Sequence, residues 1–101
     1  DFHHWEGRLD TQLGTSLAAL ARALLTQSAT HPGGTRAENL LATVQQRHPD
    51  ATDDEARALF VRLRDILLRD AYWLVDDSSG SRHYRFALEP LRRWWHRRNS
   101  L

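Results

Sequence analysis

The sequence contains no cysteine, which removes a disulfide frame, a thiol nucleophile and any zinc site with thiolate ligands. Methionine is absent too, and with Asp1 as the first residue the chain is expected to be part of a larger polypeptide in which some of the activity lies elsewhere. No apolar run approaches the about 20 residues that a membrane span requires. Nor does the N-terminus show the charged-then-apolar order of a signal peptide. A cytoplasmic location with no membrane partner is the expectation. Lysine is missing as well, so all fourteen basic residues are arginine. A GC-rich genome suffices to produce that bias, and selection of Arg for bidentate contacts with phosphate or carboxylate explains a subset of it.

What remains is an ordinary globular composition. A hydrophobic content of 41% over 101 residues fits neither a disordered nor a fibrous class, and the length allows one small core in one domain. The net charge of +1 conceals an uneven distribution. Residues 1–79 hold eight Arg against twelve acidic residues, net −4, whereas residues 80–101 hold six Arg against Glu89 alone, net +5.

Taken in order, residues 2–13 predict a short flanking helix, with Phe2, Trp5, Leu9 and Leu13 at helical spacing and Gly14 as its stop. Residues 15–27 predict the first core helix, striped by Leu17, Leu20, Ala21, Leu24 and Leu25. Pro32 and two glycines break it. Thr35-Arg36-Ala37-Glu38 has the form of a capping box and opens a helix to about Gln46; Thr52-Asp53-Asp54-Glu55 has the same form and opens a second, with extra acids suited to the helix dipole. Two capped helices a few residues apart suit a helix-turn-helix. Residues 72–75 and 83–88 predict two strands joined by an Asp/Ser/Gly turn, a wing hairpin, with Tyr84, Phe86 and Leu88 on one face. Glu89-Pro90 opens the last helix, whose start tolerates proline. The expected fold is therefore α+β, a winged helix-turn-helix: a three-helix core and a two-stranded wing within residues 15–91, a flanking helix over 1–14 and a basic helical end over 92–101.

The run Tyr84-Arg85-Phe86-Ala87-Leu88-Glu89-Pro90-Leu91-Arg92-Arg93-Trp94-Trp95 resembles the tail of the winged-helix domains that follow the nucleotide-binding core in bacterial and archaeal AAA+ and STAND-type ATPases. Those domains often end in Tyr-Arg-Phe and then a Pro-Leu-hydrophobic-Arg helix. Arg8-Leu9 and Leu13-Gly14, ahead of a Leu/Ala-rich helix, look like the entry to such a domain. Where relatives often carry a second Arg and a small polar residue, this chain has Ala87-Leu88-Glu89. The resemblance implies a bacterial or archaeal parent that uses this module as a regulatory lid, a protein contact or a DNA contact. No GxxxxGK[ST] loop occurs, so ATP binding is not expected of this chain itself.

Two contact surfaces compete. On the helix opened at Thr52, Ala56, Leu59, Phe60, Leu63, Ile66 and Leu67 share the core face at 100° per residue. The outer face carries Arg57, Val61, Arg64 and Leu68, candidates for contact with a protein, either the parent ATPase core or another subunit, with packing against the flanking helix as the other reading of Val61 and Leu68. Asp53, Asp54 and Glu55 occupy the N-terminal positions that helix-turn-helix readers fill with base-reading Arg, Lys, Asn or Gln, which opposes major-groove insertion. The alternative is double-stranded DNA, held along its backbone by Arg82 and Arg85 on the wing and by Arg92, Arg93, Arg97 and Arg98 on the last helix; the same arginines also read as a solvated face whose stems cover the tryptophans, or as a contact with the ATPase core. Trp94 and Trp95 cannot share one exposed strip, so one is expected in the core and the other at a domain edge. Catalysis, metals and cofactors find no support: His3 and His4 point to different sides of a helix without a third ligand. The other histidines are scattered, the serines sit in a turn, and the Asp pairs lack EF-hand spacing. The sequence reading is thus a non-catalytic regulatory and interaction module, with no small-molecule substrate.

Overall fold

Apolar residues recur at helical spacing from Trp5 to Ala29, and the chain forms one element there, α1 (His3–Ala29), broken at Gly14. Gly14 has φ 77° and ψ 164°, a conformation open essentially to glycine alone, so the two expected helices meet end to end at a kink rather than at a loop. The computed structural model describes residues 2–99. Within them follow β1 (Thr35–Arg36), α2 (Ala37–Arg47), α3 (Asp53–Arg69), β2 (Trp73–Asp76), β3 (His83–Phe86) and α4 (Glu89–Asn99). The architecture is mixed helix and strand, with an antiparallel sheet in the order β1-β3-β2. Among the described residues no helix is long and apolar enough to cross a membrane.

The first expected capping box does not form. Thr35 and Arg36 pair instead with Tyr84 and His83, adding a third strand that the sequence reading lacked. Arg36 becomes the N-cap of α2 and supplies no side-chain cap. The Thr35 hydroxyl donates to the Gln27 carbonyl (3.4 Å), Glu38 pairs with Arg36 (2.6 Å), and the Ala37 amide donates to the carbonyl of Arg82 (3.1 Å). Sheet pairing thus takes over the work of the cap, with a backbone acceptor from the hairpin replacing a local side chain.

The second box forms as expected. Thr52 Oγ1 accepts from the Glu55 amide (3.1 Å) and Glu55 accepts from the Thr52 amide (2.8 Å). That backbone donor holds the Glu55 carboxyl below its ordinary range. At the other end of α3, the Tyr72 amide donates to the Leu67 carbonyl (3.0 Å) and the Ala71 amide to Leu68 (3.3 Å), the paired bonds of a Schellman motif. Ala71 holds the left-handed position, φ 66°, that such motifs usually give to glycine. Replacing Ala71 with Gly relieves a left-handed cost of about 1–2 kcal/mol and gives back about 0.4–1 kcal/mol in unfolded-chain entropy, so a net gain of about 0.5–1 kcal/mol is expected, read as a higher urea midpoint at unchanged m-value.

The core lies between α1, α2, α3, the hairpin and α4. Leu9, Leu20, Leu24, Leu25, Leu63, Leu67, Trp73, Tyr84, Leu91 and Trp95 are buried in one cluster. Polar side chains stitch its elements to α1: the Trp73 indole donates to Ser28 Oγ (3.0 Å), which donates onward to the Leu25 carbonyl (3.1 Å), and the Trp95 indole donates to Thr26 (3.1 Å). The Tyr72 hydroxyl donates to the Trp5 carbonyl, and its ring meets Trp5 edge-on at 5.2 Å. The residues ahead of Gly14 are therefore part of the packed body, and Leu9 among them is fully buried. Trp95 is the buried member of the tandem pair, while half-buried Trp94 covers the seam with Phe2 and His3.

Candidate functional site

Arg57, Val61 and Arg64 follow one another at four- and three-residue steps, so α3 presents them along one side. That side faces a groove of about 380 Å³ closed by the start of α2 and by the hairpin. Ala37, Leu41, Phe60, Val61 and Tyr84 give it an apolar floor, and Arg57, Arg64, Arg82 and Glu38 stand around it. Residues assigned from the sequence to different surfaces thus meet at one place: three from the protein-contact set and Arg82 from the DNA set.

Three arginines and one carboxylate line the rim, and two of the arginines already hold carboxylates outside it. Glu38 is already engaged by Arg36 at 2.6 Å. Asp65 and Asp77, bonded to Arg64 (2.8 Å) and Arg82 (3.4 Å), raise both guanidinium groups above their ordinary value, and the Tyr84 hydroxyl adds to both effects. These are exposed pairs of small net energy, open to exchange with an incoming carboxylate. Arg57 is exposed and has no ion-pair partner among the described residues.

Leu68 departs from its expected place. It is half-buried against the core cluster and does not line the groove. Ile66, expected on the core face, is only half-buried.

Most arginines of residues 80–101 are engaged within the fold. Arg85 pairs with Asp76 (3.5 Å), Arg93 with Glu89 (3.4 Å), and Arg98 with Glu6 (3.1 Å) while lying 5.4 Å from the centre of the Trp94 ring. Arg92 is a structural residue: its side chain is 12% exposed, it donates to the Ala29 carbonyl at the end of α1 (2.7 Å), and it chelates Glu89 (2.6 Å). The bond from Arg92 lowers the Glu89 carboxyl from its ordinary value. Arg97 stands with Arg93 beside Phe2, Pro90 and Trp94. Each wing arginine is matched by a wing aspartate, Arg92 and Arg93 share Glu89, and Arg98 is matched by Glu6, so most of the +5 excess is locally compensated.

The groove could not be read as a site from sequence, since Leu41 and Phe60 look like core positions and Ala37 like a helix start. What unites them is the pairing of β1 with β3, which sets the beginning of α2 against the hairpin. Among the described residues no group of three or more His, Asp or Glu is placed to hold a metal ion. Comparison of the chain with protein-family models, with curated proteins and with solved structures found no match.

Proposed function

We propose that the chain is a winged-helix module of a larger, ATPase-like protein and that it acts without catalysis, as a docking and regulatory element for the parent's ATPase core or another subunit. One observation carries this reading: an apolar floor under a rim of arginines between α2, α3 and the hairpin. Apolar surface ringed by charge is the form of a protein contact. The carboxylates of Asp53, Asp54 and Glu55 at the start of α3 support the same choice, because they would face phosphate in a groove-inserted helix.

The second reading, a backbone contact with double-stranded DNA through Arg82, Arg85, Arg93, Arg97 and Arg98, draws on the net +5 of residues 80–101. Arg92 is better left out of any test of it, since its loss would disturb the end of α1. Fluorescence anisotropy with a mixed-sequence duplex at about 50 and 200 mM salt separates the readings, because phosphate contacts lose affinity steeply over that interval. The docking reading expects no salt-steep binding. Salt-steep binding that disappears in an Arg82→Ala, Arg93→Ala, Arg97→Ala variant would replace it with the DNA reading.

A further inference from the structure

We infer that the occupant of the groove is a short acidic protein segment, one apolar side chain seated on Val61 and Phe60 with carboxylates on either side held by Arg57, Arg64 and Arg82. This rests on the docking reading and adds the chemistry of the partner.

The floor and the rim make different demands. Val61 is half-buried and Phe60 nearly closed off, so the floor gains by covering with apolar surface and gains nothing from a phosphate, which would leave its water there. Around it stand three guanidinium groups: Arg57 has no ion-pair partner among the described residues, Arg64 and Arg82 hold Asp65 and Asp77 in exposed pairs that an incoming carboxylate can exchange with, and the groove's own acid, Glu38, is held by Arg36. Guanidinium presents a planar fork that matches carboxylate. A segment with one apolar anchor between Asp or Glu residues satisfies both the floor and the rim. A basic segment meets like charge, and a neutral one leaves Arg57 without a counter-charge.

Length decides against an extended polyanion. A duplex lying along α3 would pass Asp53, Asp54 and Glu55, all exposed at its first turn, whereas those residues do not line the groove. A segment of a few residues reaches the arginines without approaching them. The groove volume of about 380 Å³ falls at the lower end of the roughly 300–1,000 Å³ typical of pockets, enough for an anchor and its neighbours.

The test uses the intact chain and fluorescein-labelled synthetic peptides in which a Leu-Phe anchor is flanked by Glu, by Gln or by Lys, with a fourth peptide that keeps the Glu residues but replaces the anchor with Ser. Binding is followed by anisotropy and located by NMR shifts of the Val61 methyl groups. The Glu-flanked peptide is expected to bind at the Val61 methyls, with the Gln-flanked and Ser-anchored peptides weaker by about tenfold. Arg57→Glu and Arg82→Glu, both exposed and expected to leave the fold intact by circular dichroism, should each weaken the Glu peptide by about three- to tenfold and strengthen the Lys peptide. Equal binding of Glu and Gln peptides, both lost in Val61→Asp, would overturn the acidic partner and leave the docking groove in place. Binding of the Glu peptide that survives Val61→Asp, or no binding of any peptide, overturns the inference. Displacement of the Glu peptide by mixed-sequence duplex, with loss of binding on adding salt and with Val61 methyl shifts, would assign the surface to nucleic acid and sink the docking reading as well.

Discussion

Replacing Gly34 with Ala is expected to lower stability by about 3 kcal/mol or more and to release β1 from β3 before the rest of the fold gives way. Gly34 is buried at φ 86°, and a Cβ there would strike the Tyr84 carbonyl oxygen and lie 2.6 Å from its carbon and 2.7 Å from Arg85 Cβ. Two of those contacts are backbone of the central strand, which cannot rotate away as a side chain can. A left-handed φ costs an alanine about 1–2 kcal/mol, and forcing an extra methyl into a packed site about 1–3 kcal/mol more. Against a total of about 5–15 kcal/mol for a domain of this kind, the loss is large. Gly33 is an internal control, because a Cβ there meets nothing within 4 Å and Gly33→Ala should be close to neutral. Urea unfolding of the two variants, with hydrogen exchange at the Ala37 amide, is the measurement. A Gly34→Ala protein with the wild-type midpoint and an unchanged Ala37 amide would contradict the account of how β1 seats α2 on the hairpin.

The second large effect separates neighbours in sequence. Trp95→Ala should cost about 3–5 kcal/mol, whereas Trp94→Ala should cost nearer 1 kcal/mol. Trp95 has no exposed surface, donates to Thr26 and lies 6.1 Å from the Phe86 ring, so its removal opens a cavity beneath the sheet and orphans a hydroxyl on α1. Trp94 covers Phe2 and His3 at the edge, so its removal loosens the residues ahead of Gly14 and leaves the core filled. Thermal melts decide the matter, and equal shifts for the two variants would show that burial does not govern their difference.

Where the sequence could be read, the determining interactions were local. Thr52 and Glu55 cap each other within one turn, the Gly14 break needs only one residue's backbone preference, and the order of helices and hairpin strands follows from periodicity. Where the reading failed, the determining partner was distant. Thr35-Arg36-Ala37-Glu38 has the letters of a capping box, but Tyr84 and His83 claim Thr35 and Arg36 for a strand too short to leave a pattern of its own. Arg92 looks like one more cation on a solvated helix until the Ala29 carbonyl is known to lie beside it. Leu68 lies on the same side of α3 as Val61 yet is half-buried against the core, a packing that a single helical wheel does not show. The candidate groove lies between these cases. Arg57, Val61 and Arg64 were legible as a face of α3, but their meeting with Leu41, Tyr84 and Arg82 depends on three elements whose mutual placement no spacing encodes.

The division of the tryptophans gives the protein two optical populations. Trp73 and Trp95 are sealed from solvent with their indole N–H groups bonded to hydroxyls of α1, whereas Trp5 and Trp94 are half-buried along the seams that the first residues of α1 make with Tyr72 and α4. A collisional quencher such as acrylamide therefore reaches one population in the native protein and the other only when the core opens. Emission that can still be quenched at native conditions reports the seams, and the emission that resists reports the interior, so loosening of the first half of α1 can be followed apart from global unfolding without attaching any label.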